Sequence, residues 1–324
     1  MIWHNRFARI VAACTLVLIA AGGMVTSTGS GLSVPDWPTT YGWNMFTFPL
    51  SRWVGGIRYE HFHRLVASTV GFLTIILAIW TARVETRRWV RWLGWACLGA
   101  VIVQGLLGGM TVLLKLPPAV SIGHAGLAQI FFCLTLTLAI VTSPGWRAAS
   151  APVEDSTLRV MAALTTGVIY TQIILGATMR HTNAGMAIPT FPLAFGHIIP
   201  PFWNAGIAIH FAHRAGAMAV SIVVLATVAH VFYHHLKRLE VVRPAFFLLA
   251  CVCLQVALGA FVVLSGLQPI INTAHVVNGA LVLGASVVLT LRTFRGNLGD
   301  VRDTARQRGD APGGAKTHGL AEAS

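Results

Sequence analysis

Charge is scarce in this sequence, and negative charge scarcer still. Only 10% of the 324 residues are charged, and 10 Asp and Glu stand against 23 Lys and Arg. Soluble domains run nearer a quarter charged, so a water-exposed globular surface is excluded. Cysteine is nearly absent too. Cys14, Cys97, Cys133, Cys251 and Cys253 all fall inside apolar runs. Cys251 and Cys253 are two apart and would point in different directions on a helix. Neither a disulfide framework nor a zinc motif can be built from them.

Apolar sequence fills the space. Hydrophobic residues make up 55% of the chain, and the mean hydropathy is +0.71. Several apolar runs exceed the roughly 18 residues needed to cross about 30 Å of hydrocarbon. We place helices at about 7–28, 62–82, 92–114, 119–141, 157–179, 206–234, 244–264 and 271–292. The first is too long for the core of a signal peptide and reads as a retained span. The net charge of +13 would suit nucleic acid, but its placement argues for a membrane surface and against nucleic acid. With eight spans, 17 of the 23 Lys and Arg fall on one side. By the positive-inside rule both termini are then cytoplasmic, in the cytoplasmic (inner) membrane of a bacterium. The segment 296–324 carries no apolar period and reads as a disordered cytoplasmic tail.

The chain repeats itself. Gly31-Leu-Ser-Val-Pro35-Asp-Trp-Pro38 recurs as Gly185-Met-Ala-Ile-Pro189-Thr-Phe-Pro192, 154 residues on. His63-Arg64 recurs as His213-Arg214 at 150, and Gln104-Gly-Leu-Leu-Gly108 as Gln255-Val-Ala-Leu-Gly259 at 151. His124 recurs as His275, also at 151. The fold class expected is therefore an all-α membrane protein with eight transmembrane helices, arranged as two tandem four-helix bundles. One half is 1–150 and the other 151–295. Four spans per repeat return the chain to its starting side, so the halves should be related by a pseudo-two-fold axis along the membrane normal. Gln and Gly four apart share a helix face. This unit occurs a third time at Gln172 to Gly176, and reads as close helix packing with an amide bonded across the interface.

His63, His124, His213 and His275 each lie within the first turns of an even-numbered span, near the non-cytoplasmic face. A titratable residue inside a span is costly and points to function. Two histidines per half, with no acidic cluster, suit zinc poorly. They suit the axial positions of haem held between helices, with iron entering through haem only. Arg64 and Arg214, each beside a histidine, are candidate partners for haem propionates. Glu60 stands three residues before His63 on the same face, where the second half has His210. It is either a chemical group of the first half or the salt-bridge partner of Arg64. The outer loops at about 30–59 and 180–205 are rich in aromatics and proline, and form either interfacial belts or lids. His230, His234 and His235 read as headgroup contacts at the cytoplasmic end.

At these residues the chain resembles the haem A synthase family. The likeness runs over about 7–292 and includes Glu60-His-Phe-His63-Arg64, His124-Ala, Met179-Arg-His-Thr-Asn-Ala-Gly185, His213-Arg214 and His275-Val. It implies oxidation of the C8 methyl of haem O to a formyl group, giving haem A for terminal oxidases. It implies a resident haem b on His213 and His275. It further implies a haem O substrate site at His63 and His124, with Glu60 beside it as the catalytic residue. Membrane lipid, an electron donor of unspecified kind, the haem O synthase and the oxidase assembly machinery are the partners implied. Some members carry a cysteine pair in the first outer loop; this chain has none there, so no redox role of that pair carries over. The alternative from a different class is a di-haem b-type electron-transfer cytochrome without substrate oxidation. It explains the four histidines but not the Glu60/His210 difference. A repeat-built transporter would need polar residues at mid-membrane, where these spans are apolar.

The charge count makes a direct prediction. Reporter fusions after Ala148 should read cytoplasmic and fusions after Thr190 external. An external signal at Ala148 would refute the eight-span topology.

Overall fold

A computed structural model describes residues 2–148 and 151–298. Nearly all of the described chain is helical: α1 (Ile2–Ser27), α2 (Ile57–Val84), α3 (Arg88–Leu113), α4 (Pro118–Val141), the short α5 (Pro144–Arg147), α6 (Ser156–His181), α7 (Ala205–His235), α8 (Leu239–Leu264) and α9 (Pro269–Phe294). The eight long helices are each long and apolar enough to cross a membrane. Among the described residues there is no strand, only the isolated bridges Thr40–Trp43 and Ala194–His197. The expected spans agree in number and order, but the helices run past half of the expected ends by two to five residues. Their ends carry polar and charged residues that an apolar window leaves out, such as Arg58 and Glu60 in α2. Of the expected tail, 296–298 belongs to a short 3-10 turn, Arg295–Leu298, and 299–324 lies outside the described residues.

Helix starts follow ordinary capping chemistry. Pro118 and Pro269 occupy the first turns of α4 and α9, where a missing N–H costs nothing. Asp155 caps α6 and Asn204 caps α7 through their side chains, satisfying otherwise orphaned N–H groups. Many large apolar side chains point outward, Phe72, Ile222 and Phe246 among them. In a chain with eight spans such side chains face lipid.

Neighbouring helices pack in sequence order within each half, and α1 closes on α4 as α6 closes on α9. The halves meet through α1 against α9, α4 against α6, and α4 against α9. Exchanging the halves maps the first of these contacts onto the second and the third onto itself, which is the pairing a two-fold axis produces. Small residues allow the close approach. A methyl on Gly284 would sit 3.0 Å from Phe132, and one on Gly126 would sit 2.8 Å from Ile174. Arg180 of α6 donates to the Gly23 carbonyl at 3.0 Å and to Ser27 Oγ at 2.6 Å, both on α1.

The duplication reaches the backbone of the outer loops. Trp37-Pro38 and Phe191-Pro192 are both cis, and Tyr41-Gly42 and Phe195-Gly196 both take positive φ. Each of these pairs is 154 residues apart, the offset of the repeated motif.

Candidate functional site

The four histidines of the repeat share one local arrangement. Each stands six to eight residues into its helix, about 9–12 Å below the helix start. Each imidazole lies against a glycine of the preceding long helix. A Cβ on Gly22 would meet His63 Cε1 at 3.0 Å, and on Gly108 would meet His124 Cε1 at 3.1 Å. In the second half, Gly176 faces His213 at 2.9 Å and Gly259 faces His275 at 3.2 Å. These are closer than nearly any real side chain allows, so glycine is what makes room for the ring.

The Gln units brace three of the four. Gln104 Nε2 donates to the His124 carbonyl at 3.0 Å, and Gln255 Nε2 to the His275 carbonyl at 3.0 Å. Gln172 Nε2 donates to the His213 carbonyl at 2.7 Å and also reaches its Nδ1 at 3.0 Å. The amides do bond across helix interfaces, as expected, but their partners are the site histidines themselves. Sequence alone leaves Gln172 and Gly176 without a histidine and gives Gly22 no role. A signal is nonetheless present: Gly22 precedes Gly176 by 154 residues, the offset of the repeated loop motif. At that same offset Leu18 stands where Gln172 stands, so His63 lacks the amide brace. The second half has one brace more. Asn278 donates to Gln255 Oε1 at 2.7 Å and to the Cys251 carbonyl at 2.8 Å. Leu127 occupies the matching first-half position.

Within each half the two imidazoles are near enough to interact electrostatically, His63 with His124 and His213 with His275. Nδ1 of His63, His124 and His275 is buried without a hydrogen-bond partner. Buried polar atoms are normally paired, so unpaired imidazole nitrogens in the interior of both bundles suit an axial metal ligand. No third ligand-type side chain joins either pair: among the described residues the one grouping of three or more lies elsewhere, at Asp155, His230 and His235. A donor set of two imidazoles is incomplete for zinc and sufficient for haem iron.

Both candidate arginines turn toward the outer loops. Arg64 donates to the carbonyls of Val34 (3.0 Å), Asp36 (2.7 Å) and Thr39 (2.9 Å), and pairs with Glu60 Oε1 at 2.8 Å. Arg214 donates to the carbonyls of Ile188 (3.0 Å) and Thr190 (2.7 Å), the repeat equivalents of Val34 and Asp36. Its second terminal nitrogen, Nη1, is buried without a partner. Glu60 is buried, and its Oε2 accepts from the Val34 N–H at 2.8 Å. His210 does the matching work, accepting from the Ile188 N–H at 3.3 Å. The salt bridge weighed for Glu60 and Arg64 is therefore present, and it is part of the fixture that holds the first loop.

The aromatics of the two outer loops divide into two sets. Trp53 and Phe48 enclose His61, with ring centroids 4.7 and 5.0 Å away, and Trp37 packs on Gly109, beside the glycine that seats His124. Trp43, Phe46, Phe202 and Trp203 point outward, as an interfacial belt does. Burial pushes the Asp36 carboxyl up, but hydrogen bonds from the Gly42 and Tyr41 N–H groups and the Thr39 hydroxyl outweigh it and hold the group below the usual carboxylate range. Its charge keeps the loop turn closed. His230 and His235, at the far end of α7, both bond to Asp155, a partner that sequence alone does not name.

Residues 5–287 match the sequence profile of the COX15-CtaA family, described as cytochrome oxidase assembly protein, and a second match spans 202–311. The chain belongs to this family. A Symbiobacterium thermophilum protein named heme A synthase is 32% identical over 273 residues, 81% of this chain and 86% of its own length. Proteins of the same name from Geobacillus kaustophilus and Caulobacter vibrioides are each 27% identical. The first alignment covers 94% of this chain and 96% of the relative, the second 88% and 94%.

The glycine seats can be tested directly. Gly176→Ala forces the His213 ring to shift and should cost about 1–3 kcal/mol, the usual penalty of overpacking. Gly167→Ala on the same helix meets nothing within 4 Å and should cost nothing measurable. Thermal unfolding of the two purified variants makes the comparison. Equal midpoints would show that the seat is not tight.

Proposed function

We propose that this protein is a haem A synthase of a bacterial cytoplasmic membrane, with both termini inside, oxidising the C8 methyl of haem O to a formyl group. The observation that carries the reading is the pairing of imidazoles: one pair per bundle, each ring on a glycine seat, in a family whose curated relatives are named heme A synthase. The relatives' name disfavours the di-haem electron-transfer alternative.

The division of labour follows from the braces. His213 and His275 would hold the resident haem b, because Gln172, Gln255 and Asn278 fix both rings and so preorganise a permanent site. His63 and His124 would receive haem O, because a substrate must also leave, and His63 has no amide holding it. Bound haem supplies the oxidation–reduction chemistry of iron. The chain supplies ligand imidazoles, closely packed helices that exclude water, and a lipid-facing surface past which an apolar substrate can enter from the bilayer. Arg214, with its unpartnered Nη1, is the better placed propionate partner. Arg64 would serve only by releasing a loop carbonyl. Glu60 is the candidate catalytic carboxylate of the substrate half. Both its oxygens are engaged, and each keeps a further lone pair for a proton or a developing positive charge. A haem O synthase must deliver the substrate, an electron carrier must serve the resident haem, and the oxidase assembly machinery must take the product.

His213→Ala and His275→Ala should each remove or severely weaken the b-type haem spectrum, since each deletes an axial ligand. His230→Ala, at the opposite end of α7, should leave the spectrum as it is. A normal reduced-minus-oxidised spectrum in both ligand variants would refute the second-half site.

Glu60→Gln separates chemistry from architecture. The amide still accepts from the Val34 N–H but loses the charge. A catalytic carboxylate should then show a fall in the haem A to haem O ratio, normalised to b-type haem, of about 10²–10⁴-fold, the usual contribution of a general acid or base. A wild-type ratio would leave Glu60 as a loop fixture alone.

A further inference from the structure

The grouping of Asp155, His230 and His235 lies at the other end of the second bundle, where α6 begins and α7 ends, and nothing in the haem chemistry uses it. Asp155 Oδ1 caps α6 by accepting from the Leu158 N–H at 2.8 Å. Its Oδ2 is free of that duty and receives two imidazoles at once, His230 Nε2 at 2.9 Å and His235 Nε2 at 2.7 Å. The three donor atoms lie within 4.8 Å of one another. A fourth imidazole is adjacent, the His234 ring centroid being 4.5 Å from that of His230. The three side chains are 14–18% exposed, sheltered from bulk water yet open to an ion.

We propose that Asp155, His230 and His235 form a binding site for a first-row divalent cation, zinc by preference, that clamps the start of α6 to the end of α7. Two imidazoles and one carboxylate are a common zinc donor set, with bonds of about 2.0–2.2 Å in tetrahedral geometry. Ligand atoms around such an ion stand about 3.3–3.5 Å apart, so the two short N–O separations need open by only about half an ångström. The ion takes the place of the ring protons that now bridge to the carboxylate. Water or His234 fills the fourth position. Of the neighbouring cations, Arg238 is engaged by Glu240 at 2.7 Å and by the Pro152 carbonyl at 3.0 Å. Lys237 and Arg159 also lie close by in sequence. The first bundle closes the matching end differently: Glu85 receives Arg87 and Arg147 at 2.8 and 2.7 Å, an ion-pair network built on two arginines. His235 stands 150 residues after Glu85, so the repeat has put an imidazole where the other half has a carboxylate.

The test uses the full-length, haem-loaded protein without a histidine tag, stripped with a chelator and titrated with Zn²⁺ against a chromophoric competitor. Co²⁺ as a second probe reports tetrahedral geometry by its visible absorption. One ion per chain is expected. Asp155→Asn retains the helix cap, since Asn caps as well as Asp, and His235→Gln retains size and polarity. Each should weaken the site by at least about 10–100-fold, the usual cost even for residues that only support a ligand. His197→Gln, in the second outer loop, should bind like wild type. An unchanged haem spectrum in all three variants shows that the fold survives and keeps this question apart from the haem assignment. No Zn²⁺ uptake by the wild-type protein, or uptake unchanged in Asp155→Asn or in His235→Gln, overturns the proposal.

Discussion

An imidazole is a broad, flat, polar group, and placing one between two helices in hydrocarbon sets terms for everything near it. The neighbouring helix must come close enough to shelter the ring, so the residue beneath it must be glycine. The ring must also be held at one rotamer, and the carbonyl of its own residue offers a handle that an amide can grip. Four such contacts, two per bundle, set how closely α1 lies to α2, α3 to α4, α6 to α7 and α8 to α9. Loop closure follows from them, because Arg64 and Arg214 come directly after a seated histidine and so reach fixed points on the outer loops.

Much of this is legible in the sequence. The apolar runs mark the eight spans, the offsets of 150 to 154 residues mark the duplication, and the four histidines stand out because a titratable group inside a span is expensive. What is not legible is contact between helices with different offsets. Gly176 and His213 belong to different helices, 37 residues apart, and periodicity on one helix says nothing about which glycine faces which ring. Gly22 is harder still, because Leu18 breaks the Gln-to-Gly pattern that marks the other three. Helix ends placed from hydropathy fall too far inward for the same reason that spans are easy to find: a hydropathy window stops at the first charge, whereas a helix continues through it. The histidines at the end of α7 look like surface groups in the sequence because their partner, Asp155, is 75 and 80 residues away.

The loop fixtures show how one scaffold accommodates either of two side chains. Val34 and Ile188 present the same N–H in the same place, yet one is received by a carboxylate and the other by an imidazole. Either group satisfies the backbone. Only the carboxylate forms an ion pair with the arginine one turn on, and only it brings a negative charge to the outer end of its bundle. The fold therefore tolerates the exchange at little structural cost, which leaves the position free to be decided by what happens beneath it.

Arg180 records how far the two halves have parted. Its counterpart in the first half, 154 residues earlier, is Thr26, so the cation that crosses from α6 to the Gly23 carbonyl and Ser27 has no mirror image. Two first halves side by side would lack that tie altogether. Two second halves would carry the arginine twice, but the residues matching Gly23 and Ser27 are Ala177 and His181. The serine hydroxyl that receives the guanidinium would be gone, and a bulkier basic ring would stand in its place. Once duplicated and diverged, the halves ceased to be interchangeable parts, and a gene that reverted to one of them would encode a bundle that could offer its own copy at most half of this tie.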